Sequence, residues 1–123
     1  MKPVAIITGA ARGIGRATAQ RRHQDGFALV LNGRSGEELQ SLAAELPGST
    51  TVMADLREEA TPEQLIQTAL TMFGRLDVLV NAAGIAQMAP LLEIDLTTWQ
   101  RFFDLHLTAS FRCSQAAARA LVA

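Results

Sequence analysis

The sequence predicts an α/β protein built as a doubly wound parallel sheet with helices on both faces, and three observations lead there. Short apolar runs rich in Val, Ile and Leu alternate with stretches whose apolar residues recur every three or four positions, the pattern of strand-helix-strand units around a sheet buried on both sides. The glycine-rich run Thr8-Gly9-Ala10-Ala11-Arg12-Gly13-Ile14-Gly15 separates the first apolar run from the first helical one. The proportions, 49% apolar and 19% charged over 123 residues, are those of one globular domain.

In chain order, strands are predicted at Val4 to Ile7, Ala28 to Asn32, Thr50 to Ala54 and Val78 to Asn81. The first helix follows the glycine turn. Its Arg21-Arg22-His23 falls where an apolar residue should pack on the sheet, so Arg22 either snorkels outward or leaves this helix loosely packed. Leu39, Leu42, Ala43 and Leu46 line one face of the second helix, which Pro47-Gly48 stops. The third begins after Thr61 as a cap, with Pro62 at its first position, and buries Leu65, Ala69, Met72 and Phe73 before Gly74 releases the chain. A last helix starts near Thr97 or Thr98 with an inward stripe of Trp99, Phe102, His106, Ser110, Cys113, Ala117 and Leu121. Met53, Met72, Met88, Trp99 and Cys113 are expected to be packing residues.

The formal net charge is −1 and the arginines are scattered, which provides no electrostatic footprint for nucleic acid or an anionic membrane. The single cysteine, Cys113, excludes an internal disulfide and fits a reducing compartment. Met1-Lys2-Pro3 leads straight into a four-residue apolar strand, too short for a signal-peptide core or a membrane span, so the cytoplasm is the default. No histidine or acid spacing suggests a metal site.

A strand, a glycine turn and a helix start in that order form a seat for a phosphate, because glycines let the backbone turn tightly and approach closely while the helix presents unpaired N–H groups. The spacing is neither G-x-G-x-x-G nor that of a P-loop, since no Lys follows Gly15. It resembles the Thr-Gly-x-x-x-Gly-x-Gly signature of the short-chain dehydrogenase/reductase family. Asp55-Leu56, Asn81-Ala82-Ala83-Gly84 and His106 follow in the family's order.

The resemblance implies a Rossmann-like sheet of strand order 3-2-1-4, the first half of a doubly wound sheet, with Gly9, Ala11, Gly13, Ile14 and Gly15 cradling a dinucleotide. It implies that Asp55 meets adenine through its carboxylate and Leu56 through an apolar contact, and that Ala82, Ala83 and Gly84 pass beside the cofactor. Asn81 would stabilise the sheet end, and Gly84 would supply a positive φ. At the end of the second strand, Leu31-Asn32-Gly33-Arg34-Ser35 has no acid for a ribose 2′-hydroxyl. Arg34 and Ser35 suit a 2′-phosphate, and Arg12 resembles the second basic residue of the family's NADP-preferring members. NADP(H) is therefore expected over NAD(H). His106 occupies the place of the family's usual Asn, which holds a water in a proton relay, and an imidazole can bind such a water too.

The same resemblance puts the reaction on a Ser, a Tyr and a Lys four positions after the Tyr. This chain has no tyrosine, and its only lysine is Lys2. Residues 1–123 are thus expected to be the dinucleotide-binding N-terminal portion of one such domain, truncated before the catalytic segment. An apolar fourth strand would then be an exposed edge and the last helix short of partners. The expected activity is hydride transfer between NADP(H) and a small carbonyl or alcohol substrate, with 3-oxoacyl-[acyl-carrier-protein] reductases, acting on an acyl thioester, nearest in style. A homo-oligomer, dimer or tetramer, assembled through the last helix is expected. A noncatalytic nucleotide-binding half-domain and a proteolysed remnant are the alternatives.

Overall fold

The computed structural model describes residues 1–85 and 89–121. Four parallel strands, β1 (Val4–Ile7), β2 (Ala28–Gly33), β3 (Thr50–Met53) and β4 (Val78–Val80), form one sheet in the order β3-β2-β1-β4, as the sequence predicts. Their register sets Val4 beside Ala28 and Ala5 beside Val78, so every strand ends on the same side. Helices α1 (Gly13–Gln24), α2 (Gly36–Glu45) and α3 (Thr61–Phe73) connect them. After β4 come a 3₁₀ turn at Leu91–Glu93, α4 (Leu96–Phe103), one turn of π-helix at Asp104–Thr108 and α5 (Ala109–Leu121).

Alternate residues of the strands serve opposite faces. Val4, Ile6, Val30 and Val52 pack under Leu65, Ile66 and Ala69 of α3 and Ala109, Cys113 and Ala117 of α5. Ala5, Ile7, Leu29 and Leu31 meet Ala19 of α1 and Leu39, Leu42 and Leu46 around α2. All of β1 is buried, which is why it reads as an unbroken apolar run rather than an alternating one. Helix α1 buries only Gly15 and Ala19, and these small residues let it lie close on the sheet. Arg22 does turn outward: it pairs with Asp25 and lies 5.7 Å over the Phe27 ring.

Several local expectations are corrected. Ala60, not Thr61, is the N-terminal flank of α3. The buried Thr61 hydroxyl donates instead to the Asp55 carbonyl at 2.8 Å. Met72 and Met53 are exposed: the core face of α3 is centred between Leu65, Ile66, Ala69 and Phe73 with Met72 at its edge, and β3 is an edge strand whose Met53 lies over Gly36. Trp99 and Leu121 are exposed as well, while Met88 lies outside the described residues.

The inward stripe of the last helix is also shifted. In an unbroken α-helix, residue 106 would lie within about 20° of residue 113. The wide turn at 104–108 changes the phase, so Leu105, Ala109 and Cys113 face the core and His106 rotates away from it. Cys113 packs tightly enough that burial pushes its thiol up to about 11.

The lower ends of β1 and β4 are clipped together. The Asp77 carboxylate accepts from the Val4 N–H at 2.8 Å and from both Arg75 Nε and its terminal nitrogen at 2.8 and 2.6 Å. The Arg75 guanidinium foremost, and the Val4 N–H after it, hold the Asp77 carboxyl below its usual value of 3.8. A lowered native value stabilises the fold above the unfolded value, and that contribution is lost as pH falls through the native one. Asp77→Asn is therefore expected to lower the urea midpoint of the full chain near neutral pH. The gap to the unmodified protein should close in acid, where Asp77 is itself protonated; a gap independent of pH would contradict this assignment.

Candidate functional site

All four strands end at one edge of the sheet, and the turns leaving β1, β2, β3 and β4 meet there around a cleft of about 180 Å³. Its floor is glycine backbone. At Gly9 the chain has φ +59° and passes so close to the segment leaving β4 that a Cβ would sit 2.5 Å from Ala83 Cα. A Cβ on Gly15 would strike the Gly9 carbonyl, so the start of α1 is seated against the turn that precedes it. Thr8, buried at the end of β1, locks the two strand ends. Its hydroxyl accepts from the Ala82 and Ala83 N–H groups at 3.1 and 3.2 Å and donates to the Val80 carbonyl at 3.3 Å.

Of the residues the sequence nominates, Gly9, Ala11, Arg12, Arg34, Ser35, Leu56, Ala82, Ala83 and Gly84 line this cleft. Gly13 and Ile14 are exposed on the first turn of α1 and Gly15 is buried beneath it. Asp55 stands beside the cleft with its carboxylate engaged by Arg57, through the backbone N–H at 2.9 Å and the guanidinium at 2.7–3.2 Å. That guanidinium holds the Asp55 carboxyl below its usual value. The Asn81 amide donates to Ser114 Oγ on α5 at 3.1 Å, tying β4 to the helix. Gly84 is not at positive φ; its lack of a side chain makes room for His106, whose Cε1 would be 2.5 Å from a Cβ there.

The π-turn brings His106 to this position. Its Nε2 lies 3.0 Å from the Ile85 N–H and 2.9 Å from the Ile85 carbonyl, so it accepts from the first in one tautomer and donates to the second in the other. Phe102 stacks on the ring at 5.6 Å. Asn32, Gly33, Ala54, Ile85 and Leu105 also line the cleft. Only Asn32 carries a signal in the sequence, a carboxamide ending an apolar strand. Its Nδ2 donates to the Val52 and Ala54 carbonyls at 3.1 and 3.2 Å, which holds the end of β3.

The cleft is lined by two basic residues, Arg12 and Arg34, together with Ser35. Its volume is below the roughly 300–1,000 Å³ of most small-molecule sites, so these walls enclose only part of a dinucleotide. The residues fit such a cofactor in kind: a backbone cradle that a Cβ would fill, cations for phosphate, and apolar Ala54 and Leu56 for a flat ring. Among the described residues, no group of three or more His, Cys, Asp or Glu side chains could hold a metal ion. No helix among them is long and apolar enough to cross a membrane.

This sheet order, with its cleft at the carboxyl ends of the strands, defines a Rossmann-type nucleotide-binding fold. A family model described as short chain dehydrogenase matches residues 3–123, and the chain belongs to that family. It is 38% identical over 124 residues to a 3-oxoacyl-[acyl-carrier-protein] reductase of Synechocystis, covering 97% of this chain and 50% of that protein. It is 40% identical over 119 residues to the L-xylulose reductase of Homo sapiens, covering 96% and 47%. Among solved structures, an alcohol dehydrogenase from the archaeon Thermococcus sibiricus complexed with 5-hydroxy-NADP superposes with a TM-score of 0.91 at 31% identity, over 98% of this chain and 54% of that one. The chain spans about half the length of the curated relatives it matches.

Proposed function

We propose that this chain is the cofactor-binding half of an NADP(H)-dependent short-chain dehydrogenase/reductase, with the family's Ser, Tyr and Lys supplied by sequence outside it. The observation that carries this reading is that Arg34 and Ser35, directly after β2, and Arg12, in the glycine turn, all line the cleft. The bound nicotinamide cofactor supplies hydride to a carbonyl group or takes it from an alcohol. Gly9, Ala11, Gly13, Ile14 and Gly15 would hold its pyrophosphate, and Arg34, Ser35 and Arg12 would hold the 2′-phosphate. Leu56 would offer the adenine an apolar surface, and Asp55, oriented by Arg57, would supply a carboxylate for its edge. Ala82, Ala83 and Gly84 keep this wall of the cleft free of bulky side chains. His106 fixes that wall through Ile85, and any proton it relays passes through Nδ1, since Nε2 is committed to the Ile85 backbone.

A small carbonyl or alcohol compound is the substrate, and a 3-oxoacyl thioester is the first class to assay, in keeping with the relative of that name. Leu96, Trp99, Phe103, Leu107 and Phe111 present an exposed apolar stripe along α4 and α5, which supports homo-oligomer formation through this helix. The free, buried Cys113 suits a cytoplasmic setting.

Arg34→Asp tests the cofactor choice. In the full-length polypeptide it is expected to weaken NADPH binding by roughly tenfold or more, a charge-assisted contact having become a repulsion, and to leave NADH binding as strong or stronger. Equal effects on both cofactors, or none, would overturn the assignment.

A further inference from the structure

We infer that Glu38 is a specificity-determining residue that competes with the cofactor's 2′-phosphate for Arg12; the inference rests on the NADP(H) reading above. The sequence Ser35-Gly36-Glu37-Glu38 opens α2 as a capping box, and half of that box is formed: Ser35 Oγ accepts from the Glu38 N–H at 3.4 Å. In the reciprocal half the glutamate side chain would return to the Ser35 N–H. Here the Glu38 carboxylate pairs with Arg12, a residue of the cleft lining, with Oε2 3.4 Å from Arg12 Nε.

The surroundings hold the two partners in reach of one another. Arg16 ties the glycine turn to α2 from below, donating to the Ala11 and Glu38 carbonyls at 3.2 and 3.4 Å and pairing with Glu45 at 3.3 Å. Arg12 itself is 81% exposed in its side chain and Glu38 43%, so either can swing without breaking the core. A 2′-phosphate carries about −1.5 to −2 charges. It would meet Arg34 and Arg12, but Arg12 arrives already paired. Binding NADP(H) thus exchanges Glu38 for phosphate on Arg12, and the freed carboxylate can complete the capping box at Ser35. NAD(H), which has no such phosphate, leaves the pair intact. Glu38 therefore narrows the preference between the two cofactors.

Exposed ion pairs are weak, so the effect to look for is modest. In the full-length polypeptide, Glu38→Gln preserves size and the Ser35 contact while removing the charge. It is expected to tighten NADPH binding about two- to fivefold, with NADH unchanged, the gain shrinking as salt is raised. The gain should vanish in the Arg12→Gln background, as coupling between the two residues requires. Unchanged or weaker NADPH binding, equal tightening of NADH, or a gain that persists without Arg12 would each overturn the inference. Arg34→Gln and Arg12→Gln separate the two levels. If both leave NADPH affinity unaltered, the 2′-phosphate reading itself fails; if both weaken it while Glu38→Gln does nothing, only the role of Glu38 fails.

Discussion

Gly9→Ala is expected to remove dinucleotide binding and most of the stability of the sheet edge together. Two costs add at this position. The backbone has φ +59°, a left-handed conformation that costs a residue with a Cβ about 1–2 kcal/mol. The new methyl would also lie 2.5 Å from Ala83 Cα, 2.8 Å from Ala83 N and 2.9 Å from the Ala82 carbonyl oxygen. All three obstacles are main chain, so no rotamer change relieves them, and β4 must move away from β1. Overpacking of this kind adds roughly 1–3 kcal/mol. Gly13 is the natural control, with φ +58° and nothing within 4 Å of the place a Cβ would take. Gly13→Ala should carry the conformational cost alone. Thermal unfolding of the two variants in the full chain, read beside NADPH titrations, should show Gly9→Ala as clearly the worse; equal losses would mean that the close approach to Ala83 is unimportant.

Thr8→Val should have the next largest effect, because it keeps the shape of a buried side chain and deletes its chemistry. The hydroxyl serves the Ala82 and Ala83 N–H groups, and a valine leaves both without that acceptor. Each partly buried donor left unpaired costs roughly 1–3 kcal/mol. The Val80 carbonyl loses less, since the Thr8 N–H still donates to it at 3.0 Å. A fall in stability of about 2 kcal/mol or more in urea titration follows from those figures, together with faster amide exchange at Ala82 and Ala83. Thr8→Ser should restore most of both. Protected amides in Thr8→Val would show that Thr8 is only a space-filling residue.

Much of this arrangement is legible in the sequence because the sheet is buried on both faces. A strand in that position has to be apolar throughout, and β1 and β2 announce themselves by composition alone. The glycine turn is legible for a related reason, since the positions that must lack a Cβ cannot be disguised. The strand order comes from right-handed crossovers between such units taken together with the family resemblance. Side chains at the surface are less readable. Nothing in the residue pattern says that Asp55 will be held by Arg57, or that Arg12 will choose Glu38, because exposed ions select among several partners within reach. Thr61 resembles a helix cap in sequence, and only the position of the Asp55 carbonyl diverts its hydroxyl. The phase change before α5 is equally unreadable: one wide turn rearranges backbone hydrogen bonds without requiring any particular residue, so the period of three to four runs straight through it and nominates His106 as an inward residue.

That wide turn also frees the two ends of the helix from one another. In a regular helix the face offered by α4 would be dictated by the face that α5 buries with Ala109, Cys113 and Ala117, since both share one screw. The inserted turn at Asp104–Thr108 acts as a rotary coupling. Below it the helix answers to the sheet, and above it the helix can be aimed separately, with Leu96, Trp99 and Phe103 outward and His106 against Gly84. Evolution can therefore retune what the upper segment touches without repacking the core beneath.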